Sequence, residues 1–523
     1  MPSKTSAGPE TELKFDVTPQ ALRRLAKHPA LAGDAAAVTY KATYFDTPQL
    51  DLRKNSLSLR VRKEGDRFVQ AVKRVRGEDM FARDEWETEV ASAGLDLTAL
   101  DATPVGKALK GDYTALRPIF VSNVTRASRD LTFGQDRILV TVDTGKLIAG
   151  KATAPVLEME LELKSGDAET LFKLARDLFE NAPIRLSLLT KSDRGFALAG
   201  VERAKAGKAS ATPLAPEMSV AEAFRRITRS CLVQIVSASE ILQREPTAEG
   251  VHQTRIGLRR LRTAMKIFQP AVDDVRADWI EQEIRWIAGE LGDARTLDVF
   301  LDEAFVPITP SLSDGRSAAR YGDSLNAARM AAYDRALIAV ASPRFARLTL
   351  EIALWAESGD WLRAPTGDRA AVLSRPIGPF AAYALDQLRK TVRKRGQNLD
   401  TLPADRRHKL RIRAKRLRYA TQFFEKAFGD HDDRRRRRFV AALKSLQDAL
   451  GKLNDIATAD AAAMLALDGS RAPALTFTAG EIVGRIKVAE PVQIDKAIEA
   501  FEDFKDTKRY WPKTKPATEA EPT

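Results

Sequence analysis

The hydrophobic period of this chain changes once, near residue 200, and the change divides the sequence into two parts that must fold differently. Apolar and polar residues alternate up to about Gly200, for example in 57–62 and 157–163. A period of two is typical of β-strands with one buried face. After Glu217 the apolar residues recur every three or four positions, as in amphipathic helices. The sequence therefore predicts a multidomain α+β protein, in which a strand-rich domain precedes an all-α domain.

Short segments that fit neither period predict the domain boundaries. Residues 201–217 are rich in Ala, Lys and Pro, and we expect them to form a linker. Residues 1–9 and 509–523 are polar and contain proline, so we expect both to be disordered. These segments leave a strand domain over 10–200 and a helical domain over 218–508. About eight strands, interrupted by two helical segments, favour an antiparallel unit over a βαβ repeat.

The charge balance of the chain indicates an anionic partner. The 523 residues include 84 Lys and Arg against 71 Asp and Glu, which gives a net charge of +13. Nucleic acid, acidic membrane and polyphosphate would each match this charge. The single cysteine, Cys231, excludes an intrachain disulfide and fits a reducing compartment, so we expect a cytoplasmic protein. We expect no membrane helix, because no uncharged apolar run reaches about 18 residues, and no cleavable signal, because the first residues contain no apolar segment.

Several predicted strands carry charged residues on one face and apolar residues on the other, since alternate strand residues share a face. For a single strand, a solvated outer face is the simpler interpretation. Here, however, acidic residues cluster on the first and last strands, and basic residues cluster on the middle ones. Carboxylates bind hard divalent cations, and Arg and Lys bind phosphate oxygens. This sorting therefore indicates a polyanion held together with divalent metal ions.

The segment Glu10-Thr-Glu-Leu-Lys14 resembles the ExExK motif that opens the CYTH domain, a triphosphate tunnel fold in which eight antiparallel strands close around a charged lumen. The resemblance continues in the family's order through Leu59-Arg60-Val-Arg62, Ala71-Val-Lys73, Arg83-Asp-Glu85, Arg126, Val142-Asp143, Glu158-Met-Glu160-Leu-Glu162 and Thr190-Lys191. Ser128 departs from it, because related enzymes often have a second basic residue there.

The resemblance implies Mg2+ or Mn2+ as cofactor and assigns roles to individual residues. It implies metal binding by Glu10, Glu12, Asp143, Glu158, Glu160 and Glu162. It implies substrate binding by Arg60, Arg62, Lys73, Arg126 and Lys191. It implies catalytic roles for Glu10, Glu12, Lys14, Asp143 and Glu160.

The helical part contains an internal repeat, because the pattern of His, basic and apolar residues in 252–262 recurs in 408–418. On a helix, the histidine and the basic residues of each copy share one stripe. The stripes consist of His252, Arg255, Arg259 and Arg262 in the first copy and His408, Arg411, Lys415 and Arg418 in the second. A single basic stripe is usually solvated and neutralised by acids, but 406–418 contains eight Lys or Arg and no Asp or Glu. We therefore expect an external anion at these stripes, and not a metal.

This half resembles the CHAD domain, whose two four-helix bundles form a basic groove that binds inorganic polyphosphate. The resemblance covers about 219–508 and is weakest over 306–363. It implies polyphosphate binding by both stripes and an association with polyphosphate granules. The arginine run 434–438 is a second candidate for this anion site.

Together, the two resemblances predict a metal-dependent inorganic triphosphatase joined to a polyphosphate-binding module. Three alternatives stay open at this point: a hydrolase of thiamine triphosphate or ATP, a non-catalytic polyphosphate adaptor, and a nucleic-acid binder. We expect no nucleic-acid partner, because neither aromatic interleaving nor a base-reading motif accompanies the basic stripes. The sequence leaves the oligomeric state open.

Overall fold

The structure is a computed structural model, and it describes residues 12–33, 35–75, 83–200, 214–363, 365, 367–429, 433–467, 469 and 472–513. Its described residues belong to two compact units. The first unit takes in those within Met1–Lys208, Leu232–Ile241 and Ser342–Ser358, and the second takes in the others. The predicted termini 1–9, most of the predicted linker and His431 lie outside the described residues.

The described strands form one antiparallel sheet in the first unit. They are β1 (Glu12–Asp16), β2 (Ala36–Asp46), β3 (Leu57–Glu64), β4 (Arg67–Val75), β5 (Arg83–Val90), β6 (Arg117–Phe133), β7 (Asp136–Ala149), β8 (Ala152–Ser165) and β9 (Arg185–Leu186). Their order across the sheet is β5-β4-β3-β2-β6-β7-β8-β1-β9. The predicted antiparallel sheet is confirmed, with nine strands instead of eight. The additional strand is β9, whose two residues are too short to show an alternating pattern.

The register of the sheet places the predicted charged residues of different strands on one face, which we call the charged face. Arg126 lies opposite Asp143, Asp143 lies opposite Glu158, and Lys14 lies opposite Glu160. Directly opposite residues of an antiparallel pair point to the same side of the sheet. Further across the sheet, this face also carries Arg60, Arg62, Lys73 and Glu85.

The sheet curves around its charged face, as the electrostatics of Glu160 on β8 show. Burial alone would raise the pKa of Glu160, but the charges of Lys191, Lys14, Arg126 and Lys73 lower it. Lys73 lies on β4, and four strands separate β4 from β8. In a flat sheet these two strands would lie about 24 Å apart, well beyond the range of a screened charge. The sheet must therefore bring the two side chains into one shared space.

The helices flank the sheet in the first unit and make up most of the second. They are α1 (Pro19–Leu25), α2 (Asp51–Lys54), α3 (Leu97–Asp101), α4 (Pro104–Leu109), α5 (Ala168–Asn181), α6 (Lys191–Leu198), α7 (Val220–Arg244), α8 (Ala248–Val272), α9 (Val275–Glu290), α10 (Gly292–Phe300), α11 (Val306–Ile308), α12 (Gly315–Ala341), α13 (Pro343–Ser358), α14 (Asp360–Arg363), α15 (Asp368–Ser374), α16 (Ile377–Arg395), α17 (Ala404–Phe423), α18 (Asp433–Ala457), α19 (Ala459–Ala466), α20 (Pro473–Val488) and α21 (Glu490–Asp506). None of the described helices combines the length and the apolar character needed to cross a bilayer.

Helices pack through apolar side chains on both faces of the sheet. On the face opposite the charges, Leu59 and Val72 pack with Leu100 of α3 and Val105 of α4. At one end of the charged face, α6 packs through Phe196 against a cluster of inward-facing residues. That cluster consists of Ala42, Tyr44, Phe120, Val124, Leu147 and Val156. Helix α6 thus covers one end of the charged face and brings its own polar residues to it.

The two copies of the repeat form the long helices α8 and α17, which contact each other within the second unit. Helix α8 begins after Thr247, whose hydroxyl accepts a hydrogen bond from the backbone N–H of Gly250 at 3.1 Å. Leu258, Leu261 and Leu417 are buried. The apolar side of each repeat helix therefore belongs to the core, as its sequence predicts. The grouping of the helices into two four-helix bundles stays a prediction.

The packed chain continues past residue 508, where the sequence placed the end of the helical domain. Arg509 pairs with Asp386 at 2.9 Å, and the indole N–H of Trp511 donates to the same carboxylate at 2.9 Å. The Trp511 ring packs edge-on against Phe439, with 5.0 Å between centroids. Burial of an aromatic ring outweighs the polar character of the surrounding sequence, so residues 509–511 belong to the helical part.

Gly195 tests the contact between α6 and the sheet. A Cβ at this position would lie 2.0 Å from the Phe120 ring. We expect Gly195→Ala to lower the free energy of unfolding of the first unit by about 1–3 kcal/mol, because the helix must move away from the ring. Chemical denaturation measures the effect. Gly94→Ala is the control, since its Cβ would meet only the Ser92 hydroxyl at 3.5 Å. Equal stability of both variants would contradict this packing.

Candidate functional site on the charged face and on the repeat helices

Three carboxylates lie together on the charged face. One oxygen each of Asp143, Glu158 and Glu160 lies within 4.8 Å of the others. Asp143 is on β7, and the two glutamates are two positions apart on β8, so the strand register alone brings them together. Asp143 and Glu158 are 2% and 0% exposed. Three of the six predicted metal ligands thus form one cluster, which we call the acidic cluster.

Four cations neutralise the acidic cluster. Lys14 and Lys191 each place an ammonium nitrogen 2.7 Å from the same Glu158 oxygen, and Lys191 is also 2.6 Å from Asp143. Arg126 donates to both oxygens of Asp143, at 2.8 and 2.7 Å, and to Glu160 at 3.1 Å. Arg194 donates to the other Glu158 oxygen at 2.7 Å. Lys14, Arg126 and Lys191, which the sequence assigned to the site, therefore form ion pairs with the predicted metal-binding acids.

The cations keep the buried carboxylates ionised. Burial would raise the pKa of Glu158, but the neighbouring ammonium groups of Lys14 and Lys191 lower it to about 2. Burial would also raise the pKa of Asp143, and the hydrogen bonds from Arg126 together with the charge of Lys191 lower it. Burial would lower the pKa of Lys191, whereas the charges of Glu160, Glu158 and Asp143 raise it. All these groups are therefore charged at neutral pH.

A second set of charges occupies the strands β3 to β5 of the charged face. Lys73 pairs with Glu85 at 2.8 Å, and Arg60 lies 3.6 Å from the same carboxylate. Arg62 contacts Glu64. Within the described part of the chain, the buried Nε atoms of Arg60 and Arg62 have no hydrogen-bond partner. Both residues lie on the charged face of the sheet, so their unsatisfied donors belong to the same set of charges as Lys73 and Glu85.

Two further residues of the charged face escaped sequence reasoning. Arg194 lies one helical turn after Lys191 on α6, and its guanidinium reaches Glu158 and the backbone carbonyl of Pro155. Tyr44 is 3% exposed, stacks on Phe120 with 4.3 Å between centroids, and has its hydroxyl near Arg60. The spacing of Lys191 and Arg194 on one helix face is a signal that could have identified Arg194. No sequence pattern indicated a role for Tyr44, because tyrosine is a common residue in strands.

Of the remaining predicted metal ligands, the described residues Glu12 and Glu162 are not part of the acidic cluster. Glu10 lies outside the described residues. Glu12 and Glu162 lie opposite each other on β1 and β8, and Glu162 pairs with Lys164 at 2.6 Å. The register puts both on the charged face, two residues along each strand from the pair of Lys14 and Glu160.

The donor set of the acidic cluster fits a hard divalent cation. Mg2+ and Mn2+ favour ionised carboxylate oxygens, and the cluster offers three of them on two adjacent strands. The buried hydroxyl of Thr141, opposite Glu160 in the register, has no hydrogen-bond partner among the described residues. An unsatisfied buried oxygen next to carboxylates is a further potential ligand, either directly or through water.

The repeat helices bring cations from both copies to one surface. The charge of Arg259 on α8 lowers the pKa of Arg411 and of Lys415 on α17, adding to the effect of burial. The pKa of Arg416 on α17 is lowered by burial, by the charge of Arg413 and by the charge of Arg262 on α8. Since α8 and α17 also contact each other, the two basic stripes share one surface, which we call the basic groove.

The predicted stripe residues occupy different places in the basic groove. Burial and the charges of Arg295 and Arg259 lower the pKa of His252. Arg255 donates to the carbonyl of Ala288. Near the ends of the stripes the charges are less available, because Arg262 contacts Glu281 at 3.5 Å and Arg418 donates to Gln447 at 3.1 Å.

A second pair of segments, 290–298 and 449–456, resemble each other in sequence and also contribute residues to the basic groove. Burial lowers the pKa of His252, and the charge of Arg295 on α10 lowers it further. The corresponding stretch on α18 places Asn454 so that its Oδ1 lies 2.6 Å from His408 Nδ1. Arg295 and Asn454 occupy equivalent positions of these two segments, although their role was not predicted.

The arginine run 434–438 has counter-charges within its own surroundings. Arg436 pairs with Glu425 at 2.7 Å and with Asp433 at 3.1 Å. Arg437 donates to the backbone carbonyl of Asp433. The centre of this run is therefore neutralised locally, in contrast to the centre of the basic groove.

Comparison with known proteins places two family models on the two halves of the chain. The model of the CYTH domain matches residues 8–196, and the model of the CHAD domain matches residues 226–463. The crystal structure of the CHAD domain from the plant Ricinus communis is similar to this chain, with 26% identity and a TM-score of 0.50. The similarity covers 58% of this chain and 98% of the plant domain.

Two bacterial proteins are related in sequence. An inorganic triphosphatase of Haemophilus influenzae is 30% identical over 204 residues, which are 36% of this chain and 54% of that protein. The match thus spans about half the length of this relative. An uncharacterised protein of Mycobacterium tuberculosis is 26% identical over 468 residues, which are 81% of this chain and 86% of that protein.

Glu158 should contribute most to the stability of the charged face, because Lys14, Lys191 and Arg194 all depend on it. We expect Glu158→Gln to lower the free energy of unfolding by about 3 kcal/mol or more at neutral pH, since Lys14 and Arg194 lose their shortest ion pair and Lys191 is left with Asp143 and Glu160. Glu162→Gln is the control and should cost less than about 1 kcal/mol, because its pair with Lys164 is partly exposed. Chemical denaturation of both variants measures the difference.

The pH dependence of this effect follows from the lowered pKa of Glu158. In the unfolded chain the pKa returns to about 4.5, so the stabilisation is complete above that pH and is lost as the pH falls toward 2. The difference between Glu158→Gln and the parent should shrink over the same range. A constant difference down to pH 3 would contradict the assignment.

Proposed function

Because the chain combines a CYTH domain with a CHAD domain, we propose that it is a metal-dependent inorganic triphosphatase whose helical domain binds polyphosphate. The substrate would be tripolyphosphate, and the products would be pyrophosphate and phosphate. The observation that carries the proposal is the joint presence of the acidic cluster and a row of cations on one concave, charged face. The relationship to the Haemophilus influenzae inorganic triphosphatase supports the same reaction.

The cations of the charged face would bind the phosphate oxygens. Arg60 and Arg62 have unsatisfied Nε donors, and Lys73 lies beside them. Arg126 and Lys191 stand at the acidic cluster, on the other side of the concave face. A triphosphate carries negative charge along its whole length, so cations on opposite strands can neutralise it at several phosphates at once.

The metal would be Mg2+ or Mn2+, held by Glu10, Glu12, Asp143, Glu158 and Glu160, with Glu162 as a further ligand. When bound, such an ion supplies positive charge that offsets the charge of the phosphoryl oxygens and makes a water molecule more acidic. The hydroxyl of Thr141 would lie next to these ligands.

The ion pairs of the charged face suggest how binding prepares the site. The acids of the cluster are now neutralised by Lys14, Lys191 and Arg126. These acids would hold the divalent cation, and the same ammonium and guanidinium groups would then be free to bind the substrate. Arg194 keeps Glu158 neutralised from the opposite side. The residues then hold the triphosphate in line for attack by water at a terminal phosphorus, and catalysis consists of positioning and charge stabilisation.

The basic groove would bind long-chain polyphosphate without hydrolysing it, because the acidic residues needed for metal binding are on the other domain. An unbranched polyanion can contact α8 and α17 at the same time, which fits the shared surface of their stripes. Binding to polyphosphate would also place the protein at cytoplasmic polyphosphate granules.

Removal of a metal-binding acid tests the proposed reaction. We expect Glu12→Gln to reduce kcat for tripolyphosphate by about 100-fold or more, a typical cost of losing one preorganised electrostatic contact. Phosphate release is measured with Mg2+ and with Mn2+, on tripolyphosphate, ATP and thiamine triphosphate. The control is Glu169→Gln, whose partner Lys173 lies on the surface of α5. Parental rates in excess chelator would refute metal dependence, and faster release from ATP or thiamine triphosphate would reassign the substrate.

Charge removal from each repeat helix tests the proposed binding. We expect the pair Arg255→Ala and Arg259→Ala, and separately the pair Arg411→Ala and Lys415→Ala, to weaken binding of long-chain polyphosphate. Each pair should also reduce the slope of log Kd against log salt concentration by about two, because two phosphate contacts are lost. Titrations of the full chain at several salt concentrations measure both effects.

The matched control for these pairs removes two charges from the arginine run instead. Arg434→Ala with Arg438→Ala should leave affinity and salt slope nearly unchanged. Loss of binding in this control, with normal binding in the two repeat-helix pairs, would move the site to 434–438.

A further inference from the structure

Among the described residues, the cations at the centre of the basic groove have no direct ion-pair partner, and the nearby acid Asp455 offsets their charge only in part. In the part of the chain that the structure describes, Arg259, Arg411 and Lys415 form no ion pair, and the buried Nε of Arg411 has no hydrogen-bond partner. Lys415 shares one face of α17 with Arg411 and Arg418, which lie four residues before it and three after it. Helix α17 packs against α8, which carries Arg259, and the charges of all three arginines act on Lys415. Like charges this close raise the free energy of the empty groove unless one of them is lost.

Lysine is the group in this cluster that can give up its charge near neutral pH. A guanidinium stays protonated in proteins, whereas a buried ammonium loses its proton readily. The empty groove can therefore relieve its repulsion by releasing the proton of Lys415. A bound polyanion reverses the balance, because several negative charges then favour the ammonium form.

We propose that Lys415 takes up a proton when a polyanion binds in the basic groove, so that polyphosphate and the proton bind together. The proposal rests on polyphosphate binding as proposed above and adds a coupling to pH. It makes the affinity of the groove fall as the pH rises above neutral, whereas a groove lined by arginine alone would be indifferent to pH in this range.

The electrostatics of Lys415 agree with this arrangement. Burial and the charges of Arg259 and Arg411 lower the pKa of Lys415 to about 7, although the charge of Asp455 acts in the opposite direction. The free groove therefore carries a full charge at Lys415 only well below pH 7. Binding raises this pKa, so proton uptake is near zero at pH 5.5 and approaches one proton above pH 8.

The other titratable groups around Lys415 can be separated from it. Burial and the charges of Arg295 and Arg259 lower the pKa of His252, so this side chain is neutral above pH 7. Burial and the charge of Arg259 lower the pKa of Arg255 to about 10, which is above the range of interest. Burial raises the pKa of Asp455 on α18, and this carboxyl would still titrate in a chain without Lys415. A variant at position 415 therefore shows whether the proton is taken up by Lys415 or by one of these other groups.

The experiment measures binding of long-chain polyphosphate to the full chain, with chelator present to stop hydrolysis. Calorimetry at pH 8 in buffers of different ionisation enthalpy gives the number of protons taken up, and titrations from pH 5.5 to 8.5 give the affinity. Long chains are used because their internal phosphates do not titrate in this range. We expect affinity to fall about tenfold or more between pH 6 and pH 8.5 in the parent chain, with uptake approaching one proton at pH 8.

Two variants of Lys415 and one control complete the test. Lys415→Arg keeps the charge but not the ability to release it, so binding should stay tight at pH 8.5 with almost no proton uptake. Lys415→Met should bind with equal, weak affinity at pH 6 and pH 8.5. Lys409→Arg should behave like the parent, since Lys409 is exposed and pairs with Asp405 at 2.9 Å.

The outcomes separate this inference from the proposed function. Tight binding without proton uptake, or uptake that persists in Lys415→Arg, overturns the coupling at Lys415 but leaves polyphosphate binding intact. No binding of polyphosphate at any pH overturns polyphosphate binding itself, and the inference with it. Uptake in the parent and in Lys409→Arg that disappears in Lys415→Arg supports the inference.

Discussion

The neutralisation of Glu158 is the interaction on which the charged face depends. Its carboxylate is fully buried and accepts from Lys14, Lys191 and Arg194, which come from β1 and from α6. A buried carboxylate without partners would be too costly in free energy to stay ionised. The contacts to Glu158 therefore fix the position of α6 across the concave sheet, and that position places Lys191 beside Asp143 and Glu160.

The two charged surfaces of the chain differ in how their charges are balanced. On the charged face, nearly every cation described meets an acid, so the groups stay ionised and a metal ion can redistribute the pairs. In the basic groove, the central cations Arg259, Arg411 and Lys415 form no ion pair with any described residue, so their mutual repulsion is only partly offset until an anion binds. The first arrangement suits chemistry on a phosphate, and the second suits binding that responds to salt and to pH.

Much of both sites could be predicted from local patterns. Alternation along single strands placed Lys14, Asp143, Glu158 and Glu160 on one face, and the register confirms that they share it. Helical spacing within the repeat selected Arg259 and Lys415 in the same way. Arg194, Tyr44 and Arg295 were missed, because their importance comes from which neighbours they meet, and no periodicity encodes such meetings. The strand β9 was missed because two residues are too few for a pattern.

The sequence by itself determined the secondary structure classes, the sorting of charge along the strands and the pairing of the two repeat copies. It could do so because side-chain direction follows directly from strand and helix geometry. Only the tertiary structure decided that the sheet curves until Lys73 influences Glu160, that α6 closes over one end of it, and that Arg259 and Lys415 share one surface. Those outcomes depend on packing between elements distant in sequence, because the free energy of burying each charged group depends on which opposite charges the packing brings next to it.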